Sequence, residues 1–559
     1  MISAKGVFEI AQALHLDGHT GPSIVAMSSL SDSNWARGMD ALTRRSVPIF
    51  EQLPFYTFDV PVGDRRGRGI STIQQDIVLP HEAFAALYTH HRTRFHELMA
   101  TDSVAEFWSH QPLDRLQKLH GGWQADRAKR IVPLRIFGDD AAVCSTINCN
   151  VVLLCSSTGF RLNPLLSKIP LCITPMKFAD GATFRKVYTV ILWSLRCLAE
   201  GTWPRCDPWG DEWPLGSWRR QRADSGLPLA GPWTGMFFES GGDWKWAWQT
   251  FDLPWYYGAS EICQKCHASK TGACSFLNLA PHAPRRVPRT MSQYVQHLAD
   301  RDRRRPPLCQ FAGFTVPESI LLDWMHNNWL GATPIAAGGA LLELVHCGCF
   351  GSCAGPRITR LQVCLKRAWL DFCEWCKSEG LEHSQQCFTP ASLSSTKATD
   401  WALLKCKAHN GSVVCKWLAC FTSRQDQREK TIRLMSHVFR CLSETDRVFS
   451  AGPFWLDDHH ASILQECKDT LLRAWKALAM DAASRGLARW NAIPKLHMME
   501  HTYDEAITTR RNPGGYWNMS DESMMGNAKK AAGRFFGPQL GRRILFNMVA
   551  LWGLELERL

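Results

Sequence analysis

The stretch Val132-Pro133-Leu134-Arg135-Ile136-Phe137-Gly138-Asp139 decides the fold, because it is an apolar run that ends on an acid. Its length and composition are typical of a buried β-strand. Two further β-prone runs follow closely, at residues 150–155 and 169–174, and Ser156-Ser157-Thr158-Gly159 marks a turn between them. The three runs predict an antiparallel meander.

The chain beyond the meander predicts one helix and a fourth strand. Residues 184–198 carry apolar side chains at helical spacing, and residues 235–238 are again strand-like. The resulting β-β-β-α-β order is the layout of an RNase H-like core, an α/β fold with a mixed sheet. In that layout the first and fourth strands are neighbours.

Three acids stand at strand or helix ends. Asp139 ends the first strand, Asp243 follows the fourth, and Glu522 opens a helix near the C-terminus. Converging carboxylates can hold two Mg²⁺ ions about 3.5–4 Å apart, which activate water or a DNA 3′-hydroxyl for attack on phosphate. The alternative is that the two aspartates cap turns and Glu522 is a surface residue.

Two of these acids have an acidic neighbour, Asp140 and Asp521. Strand alternation would direct only one of Asp139 and Asp140 into a common site. The third acid is either Asp521 or Glu522.

Composition indicates a globular protein with a polyanionic partner. The chain has 559 residues, 45% of them hydrophobic, and a net charge of +12. Several short runs are rich in Arg, among them Arg65-Arg66-Gly67-Arg68, and Arg binds phosphate in a bidentate manner. We expect no secretory signal and no membrane partner, since no stretch of about 18 apolar residues occurs. The alternative is a basic protein without a nucleic-acid partner.

The 22 cysteines suggest reduced thiols and one zinc site. Cys263-Gln264-Lys265-Cys266 is half of a tetrahedral site. The second pair is expected to be Cys274 with His282, or to come from the cluster His346, Cys347, Cys349 and Cys353. A pair of reduced loop thiols without metal is the alternative.

Two His-containing segments complete the candidates. Asp323 and His326 are three residues apart on a predicted helix, which suits either a metal or positioning pair or an N-cap aspartate with a core histidine. His497 and His501 have i, i+4 spacing, but the Glu between them is not in the HExxH order of zinc proteases. We expect a structural role for His497 and His501, and a catalytic role is the alternative.

The predicted domain organisation has four parts. Residues 1–125 form a mostly helical N-terminal region, and 126–258 form the first part of the core. Residues 259–490 form a large, mostly helical insertion, and 491–559 supply the closing helices.

Taken in order, these motifs resemble the DDE/D transposases of eukaryotic cut-and-paste DNA transposons, within them the CACTA-like group. In that group the second Asp precedes a CxxC knuckle, a DxxH signature follows on a helix, and the final acid opens a helix with a Gly four residues on, here Gly526. The resemblance covers roughly residues 70 to 540, in short islands.

The resemblance implies a nuclear DNA nuclease and strand transferase that acts on double-stranded transposon ends and target DNA. It implies Mg²⁺ or Mn²⁺ ligands at Asp139, Asp243 and Glu522, and an enzyme that can form homo-oligomers. Trp244-Lys245-Trp246 replaces the usual Pro-containing motif, and no N-terminal DNA-binding finger occurs. The alternatives are a catalytically inactive, transposon-derived DNA-binding protein and a zinc-stabilised interaction scaffold.

Overall fold

The computed structural model describes residues 4–18, 22–29, 47–63, 70–119, 125–144, 147–177, 179–397, 399–532 and 539–558. The protein is mixed α/β with one sheet. It divides into two compact units: the first comprises Met1–Phe238, Gln310–Ala312 and Asp521–Leu559, and the second comprises Glu239–Cys309 and Gly313–Ser520.

The sheet belongs to the first unit up to the boundary at Phe238, which lies within the last strand. Its strand order is β1-β2-β5-β4-β3-β6. The strands are β1 Tyr56–Gly63, β2 Ile70–Ile77, β3 Ile131–Cys144, β4 Ile147–Ser156, β5 Ile169–Pro175 and β6 Thr234–Gly242.

The predicted meander is present, and it is antiparallel. Ile136 pairs with Leu154 between β3 and β4, and Val151 pairs with Ile173 between β4 and β5. The predicted adjacency of the first and fourth strands is also found, since β6 lies next to β3. Nearly every residue of β4 and β5 is buried, which explains why their sequences read as continuous apolar runs.

The N-terminal region differs from the mostly helical prediction because it contains the hairpin β1–β2. Buried and exposed residues alternate along β1, as in a strand with one covered face. The hairpin joins the same sheet through Ile77, which pairs with Cys172 of β5. For this reason the first unit is not divided near residue 125. The Arg65-Arg66-Gly67-Arg68 run lies outside the described residues.

Helices cover the sheet of the first unit. Gly181–Glu200 begins at Asp180, whose side chain accepts from the backbone N–H groups of Ala182 and Thr183, and it ends at Gly201 with φ +74°. The described helices are Ala4–Leu16, Pro22–Ser28, Ile49–Gln52, Pro80–His90, Arg92–Leu98, Ser103–Ser109, Leu113–Leu119, Ala125–Ala128, Pro164–Ser167, Gly181–Glu200, Trp218–Asp224, Met519–Ala532 (from Asp521 onward) and Leu540–Glu557.

The second unit is mainly helical around a large apolar core. Its helices are Trp244–Thr250, Met291–Ala299, Val316–Ser319, the π-helix Met325–Ala332, Thr333–His346, Arg357–Ser378, Ala408–Ser423, Lys430–Ala451, Asp458–Ser484 and Pro494–Thr509. Short 3₁₀ turns cover Pro284–Arg286, Pro307–Gln310 and Pro513–Gly515.

The boundaries of the second unit differ from the predicted insertion of residues 259–490. Pro494–Thr509 was predicted to close the core, but Tyr503 of this helix packs in the second unit, with its ring 5.4 Å from that of Trp324. The predicted helix that carries Asp323 and His326 begins only at Met325, and before it the backbone N–H of Leu321 donates to the carbonyl of Ser240 at 2.9 Å. None of the described helices is long and apolar enough to cross a membrane.

Candidate metal sites

Asp139 lies in β3 opposite Val151, and its side chain is almost fully buried. The neighbouring Asp140 points to the other face of the sheet, since successive strand residues alternate. On that face Nδ2 of Asn150 donates to Oδ1 of Asp140 at 3.2 Å. The two adjacent acids therefore serve different faces.

Asp521 and Glu522 have different environments. Asp521 is buried, and its Oδ1 lies 2.9 Å from Nζ of Lys168, which is buried as well. Glu522 is exposed, and one of its carboxylate oxygens lies within 4.8 Å of one from Asp139. Glu522, rather than Asp521, is thus the acid that meets Asp139 in the first unit.

The Asp139–Glu522 pair has the chemistry of a Mg²⁺ or Mn²⁺ site. Both residues supply hard oxygen donors, and two ligands of one Mg²⁺ ion lie up to about 4.2 Å apart at metal–oxygen distances of about 2.1 Å. Their observed separation, within 4.8 Å, is close to that requirement. The donor set therefore fits a divalent cation.

Asp243 belongs to the second unit, where it begins the helix Trp244–Thr250. Its Oδ1 accepts from the backbone N–H of Trp246 at 2.6 Å, so the capping role considered from the sequence is present. Capping occupies one carboxylate oxygen and leaves the residue at the wall of a small cavity of about 20 Å³, which Asp323 and His326 also line.

Asp323 fixes the start of the π-helix Met325–Ala332. Its carboxylate accepts from the backbone N–H groups of Met325 at 3.1 Å, His326 at 2.9 Å and Asn518 at 2.8 Å. Nδ1 of His326 lies 2.5 Å from Asp323 Oδ2. With Nδ1 as the donor, the neutral ring has its acceptor at Nε2, so Asp323 sets both the orientation and the tautomer of His326.

Lys495 places a positive charge close to Asp243 and Asp323. Burial lowers the pKa of Lys495, while the two carboxylates act in the opposite direction. The Lys495 side chain also packs against Gly331, where an added Cβ would lie 2.6 Å from its Cδ atom. The cavity thus combines two acids and a histidine, and the half-buried Lys495 lies near the two acids.

A second group of metal-binding residues lies wholly within the second unit. Sγ of Cys266 is 3.2 Å from Nε2 of His497 and 3.3 Å from Nε2 of His501. Together with Cys263, the four ligand atoms lie within 4.8 Å of one another. Two thiolates and two imidazoles at these separations match a tetrahedral zinc site, with Zn–S about 2.3 Å and Zn–N about 2.0 Å.

Two elements bring these four ligands together. His497 and His501 lie one turn apart on the helix Pro494–Thr509 and therefore share a face. The CxxC turn is held by Arg289, whose Nε donates to the carbonyls of Cys263 and Cys266 at 3.0 Å each. Arg289 and the helix Pro494–Thr509 therefore position the four ligands.

Neighbouring charges orient His497. Its Nδ1 lies 3.2 Å from Oε2 of Glu500, which leaves Nε2 to face Cys266. Glu500 is buried, and Arg285 and Arg286 each approach it to 2.8 Å. A carboxylate behind a ligating histidine is the usual support of a zinc site, because it fixes the ring and raises the basicity of the ligand.

Electrostatics favour a thiolate at Cys266. The hydrogen bond from Cys263 and those from His497 and His501 hold the pKa of Cys266 far below its usual range, although burial opposes them. Burial raises the pKa of Cys263 well above its usual value. Burial also opposes ionisation of Glu500, but His497 and Arg285 lower its pKa overall.

The ligand group differs from the predicted one in its second pair. His497 and His501 complete it instead of Cys274 and His282, and His282 is exposed. The four ligands likewise include none of the residues of the cluster at 346–353. The i, i+4 spacing of the two histidines was the available signal, but 231 residues separate Cys266 from His497 and hide their proximity.

No model of a known protein family matches this chain, and no curated protein matches it either.

Proposed function

We propose that this protein is a transposase-like DNA nuclease and strand transferase, with an RNase H-like core and a nuclear site of action. The observation that carries the proposal is the meeting of Asp139 and Glu522 within 4.8 Å. Both were expected to be metal ligands, and they come from distant parts of the sequence. The adjacency of β3 and β6 supports the same proposal.

In this proposal Asp139 and Glu522 of the first unit hold Mg²⁺ or Mn²⁺, and Asp243 is the third ligand that the resemblance implies. When bound, such ions lower the pKa of an attacking water or 3′-hydroxyl and offset charge on the phosphate. Asp139 supplies a fixed oxygen, because β3 is paired on both sides. Glu522 supplies a carboxylate from an exposed helix position, where an incoming DNA strand can reach it.

We also propose that Cys263, Cys266, His497 and His501 bind Zn²⁺. Three of the four ligands are buried, so the ion would be structural rather than open to substrate. Its role would be to tie the CxxC turn to the helix Pro494–Thr509.

Direct cation binding tests the catalytic proposal. Mn²⁺ binding to the purified protein would be followed by electron paramagnetic resonance, and cleavage would be assayed on duplex DNA carrying candidate terminal repeats. Asp139→Asn and Glu522→Gln should each lose the Mn²⁺ signal and cleavage. Asp140→Asn is the matched control, because it makes the same chemical change on the opposite face of β3.

Equal Mn²⁺ binding and cleavage by Asp139→Asn and the wild type would refute the mechanism. Asp243→Asn tests the third ligand separately. It should leave the fold intact, since Asn also caps helices well, and it should abolish cleavage.

A catalytically inactive DNA-binding protein is the second candidate. The observation in its favour is Lys495, whose positive charge lies near Asp243 and Asp323 and can neutralise them without a metal. Salt-sensitive DNA binding without any Mn²⁺ signal would support this candidate. Restoration of Mn²⁺ binding by Lys495→Met would identify the lysine as the cause.

A further inference from the structure

An open cleft of about 1060 Å³ lies in the first unit. Four basic residues line it: Arg127, Lys129, Arg130 and Arg196. All four are exposed. Two acids, Asp126 and Glu200, also line the cleft, so its formal charge is four minus two, or +2.

The arginines of this cleft are not neutralised by neighbouring acids. Lys129 pairs with Asp126 at 3.1 Å. Within the described part of the chain, no carboxylate forms an ion pair with Arg127, Arg130 or Arg196. Exposed arginines elsewhere are often paired, as Arg428 is with Asp426 at 2.9 Å. Unpaired guanidinium groups in a concave surface favour an anionic ligand with several oxygens.

The backbone holds the basic turn against the sheet. The N–H of Arg130 donates to the carbonyl of Arg127 at 3.0 Å, and the N–H of Thr234, at the start of β6, donates to the carbonyl of Arg130 at 3.0 Å. On the other wall, Arg196 donates to the carbonyl of Gln310 at 3.3 Å. Hydrogen bonds therefore hold the backbone of the basic turn and the Arg196 side chain, which limits the ordering cost of binding.

The cleft lies at the start of β3, and the acid pair lies further along the strand, at Asp139. Ile131 lines the cleft, and Asp139 follows eight residues later on the same strand. At about 3.3 Å per residue this is about 26 Å. Base pairs in DNA rise about 3.4 Å each, so the interval corresponds to about eight base pairs.

We propose that this cleft binds the sugar-phosphate backbone of duplex DNA, at an anchoring contact separate from Asp139 and Glu522. The proposal rests on the proposed function in one respect, the choice of DNA as the polyanion. The cleft contributes affinity without sequence preference, because phosphate contacts carry no base information.

Fluorescence anisotropy with a labelled 30-base-pair duplex of arbitrary sequence, without added Mg²⁺ or Mn²⁺ and over a series of salt concentrations, tests the proposal on the full chain. Arg127→Glu/Arg130→Glu should bind at least about ten-fold more weakly than the wild type. The slope of log affinity against log salt should fall by about two, one per lost phosphate contact.

Arg360→Glu/Arg424→Glu is the control of equal charge change. Both residues are exposed, and neither lines the cleft. This control should retain most of the affinity. Equal loss in both variants would show a general charge effect and would overturn the proposal, as would wild-type affinity in Arg127→Glu/Arg130→Glu.

Two further measurements complete the test. Thermal unfolding shows whether the variants fold, and Arg127→Ala/Arg130→Ala replaces any that does not. Poly-glutamate competition tests for an acidic protein ligand instead of DNA. If Arg127→Glu/Arg130→Glu lost poly-glutamate binding but bound DNA as the wild type does, the proposal would be overturned. The Mn²⁺ signal at Asp139 and Glu522 should persist in the cleft variants, so failure of the cleft and failure of the catalytic proposal are distinguishable.

Discussion

Sγ of Cys266 lies 3.2 Å from Nε2 of His497, although 231 residues separate them in the chain. The contact joins an irregular turn to the helix Pro494–Thr509. His501, on the same helix, lies slightly further from this sulfur, at 3.3 Å, so both histidines contact Cys266.

Loss of this ligand group should destabilise the protein. Cys266→Ser and His501→Ala should lose one equivalent of zinc and at least about 3 kcal/mol of unfolding free energy, since metal loss is among the large-effect changes. Metal analysis and urea denaturation measure the two effects. Cys274→Ser and His282→Ala should keep the zinc. A full zinc content in His501→Ala would contradict the ligand assignment.

Removal of Lys168 should leave a buried charge at Asp521. The two side chains pair at 2.9 Å and are both almost fully buried. Lys168→Met should cost about 3–5 kcal/mol of unfolding free energy, because the remaining carboxylate is uncompensated. Adding Asp521→Leu should recover much of the loss in urea denaturation. Additive losses in the double variant would mean that the two residues do not act as a pair.

His81 should make stability depend on pH. It is fully buried with Nδ1 2.7 Å from Oγ of Ser194, and burial, with Arg219 nearby, lowers its pKa to about 3. Below the unfolded-state pKa of about 6.5 the unfolded chain gains a proton that the native state does not. Stability therefore falls as pH decreases from about 6.5 towards 3, by up to about 1.4 kcal/mol per pH unit.

His81→Gln isolates this contribution from other groups, including Glu82, whose pKa is raised by burial. Between pH 7 and pH 5 the variant should lose about 2 kcal/mol less unfolding free energy than the wild type. Urea titrations at both pH values provide the comparison. Identical pH dependence would show that the pKa of His81 is not lowered in the native state.

Gly541 should tolerate no side chain. An added Cβ would lie 2.3 Å from the carbonyl oxygen of Ile173, where the helix Leu540–Glu557 packs on β5. Gly541→Ala should lower the unfolding free energy by about 2–4 kcal/mol, because the helix backbone would have to move away from the carbonyl of Ile173. Gly526→Ala is the matched control, since nothing lies within 4 Å of its Cβ position. The control should be stabilising by about 0.5–1 kcal/mol. A similar melting temperature for both variants would rule out the close approach.

The sequence predicted the elements that depend on local patterning. Strands β3 to β6 and the helix Gly181–Glu200 are all present, because continuous apolar runs and helical spacing are visible in short windows. The hairpin β1–β2 was not predicted. Its alternation marks only one buried face.

The residues of the candidate sites were almost all recognised, but their partners were not. The sequence could not distinguish between Asp521 and Glu522 as the third acid, because the distinction depends on Lys168, which forms an ion pair with Asp521. It also offered Cys274 with His282, or the cluster at residues 346–353, as the second pair of a zinc site, since nearby residues were the only ones whose proximity could be judged from spacing. His497 and His501 required the packing of a distant helix.

The sequence by itself therefore determined the succession of β3 to β6 along the chain, the acidic residues and possible metal-ligating residue types, and the basic charge. Local periodicity and composition are sufficient for these. Only the tertiary structure decided which acid meets Asp139, which histidines meet the CxxC turn, and which arginines share a cleft. These are contacts between residues far apart in the chain, and they are set by the packing of whole helices and strands rather than by neighbouring residues.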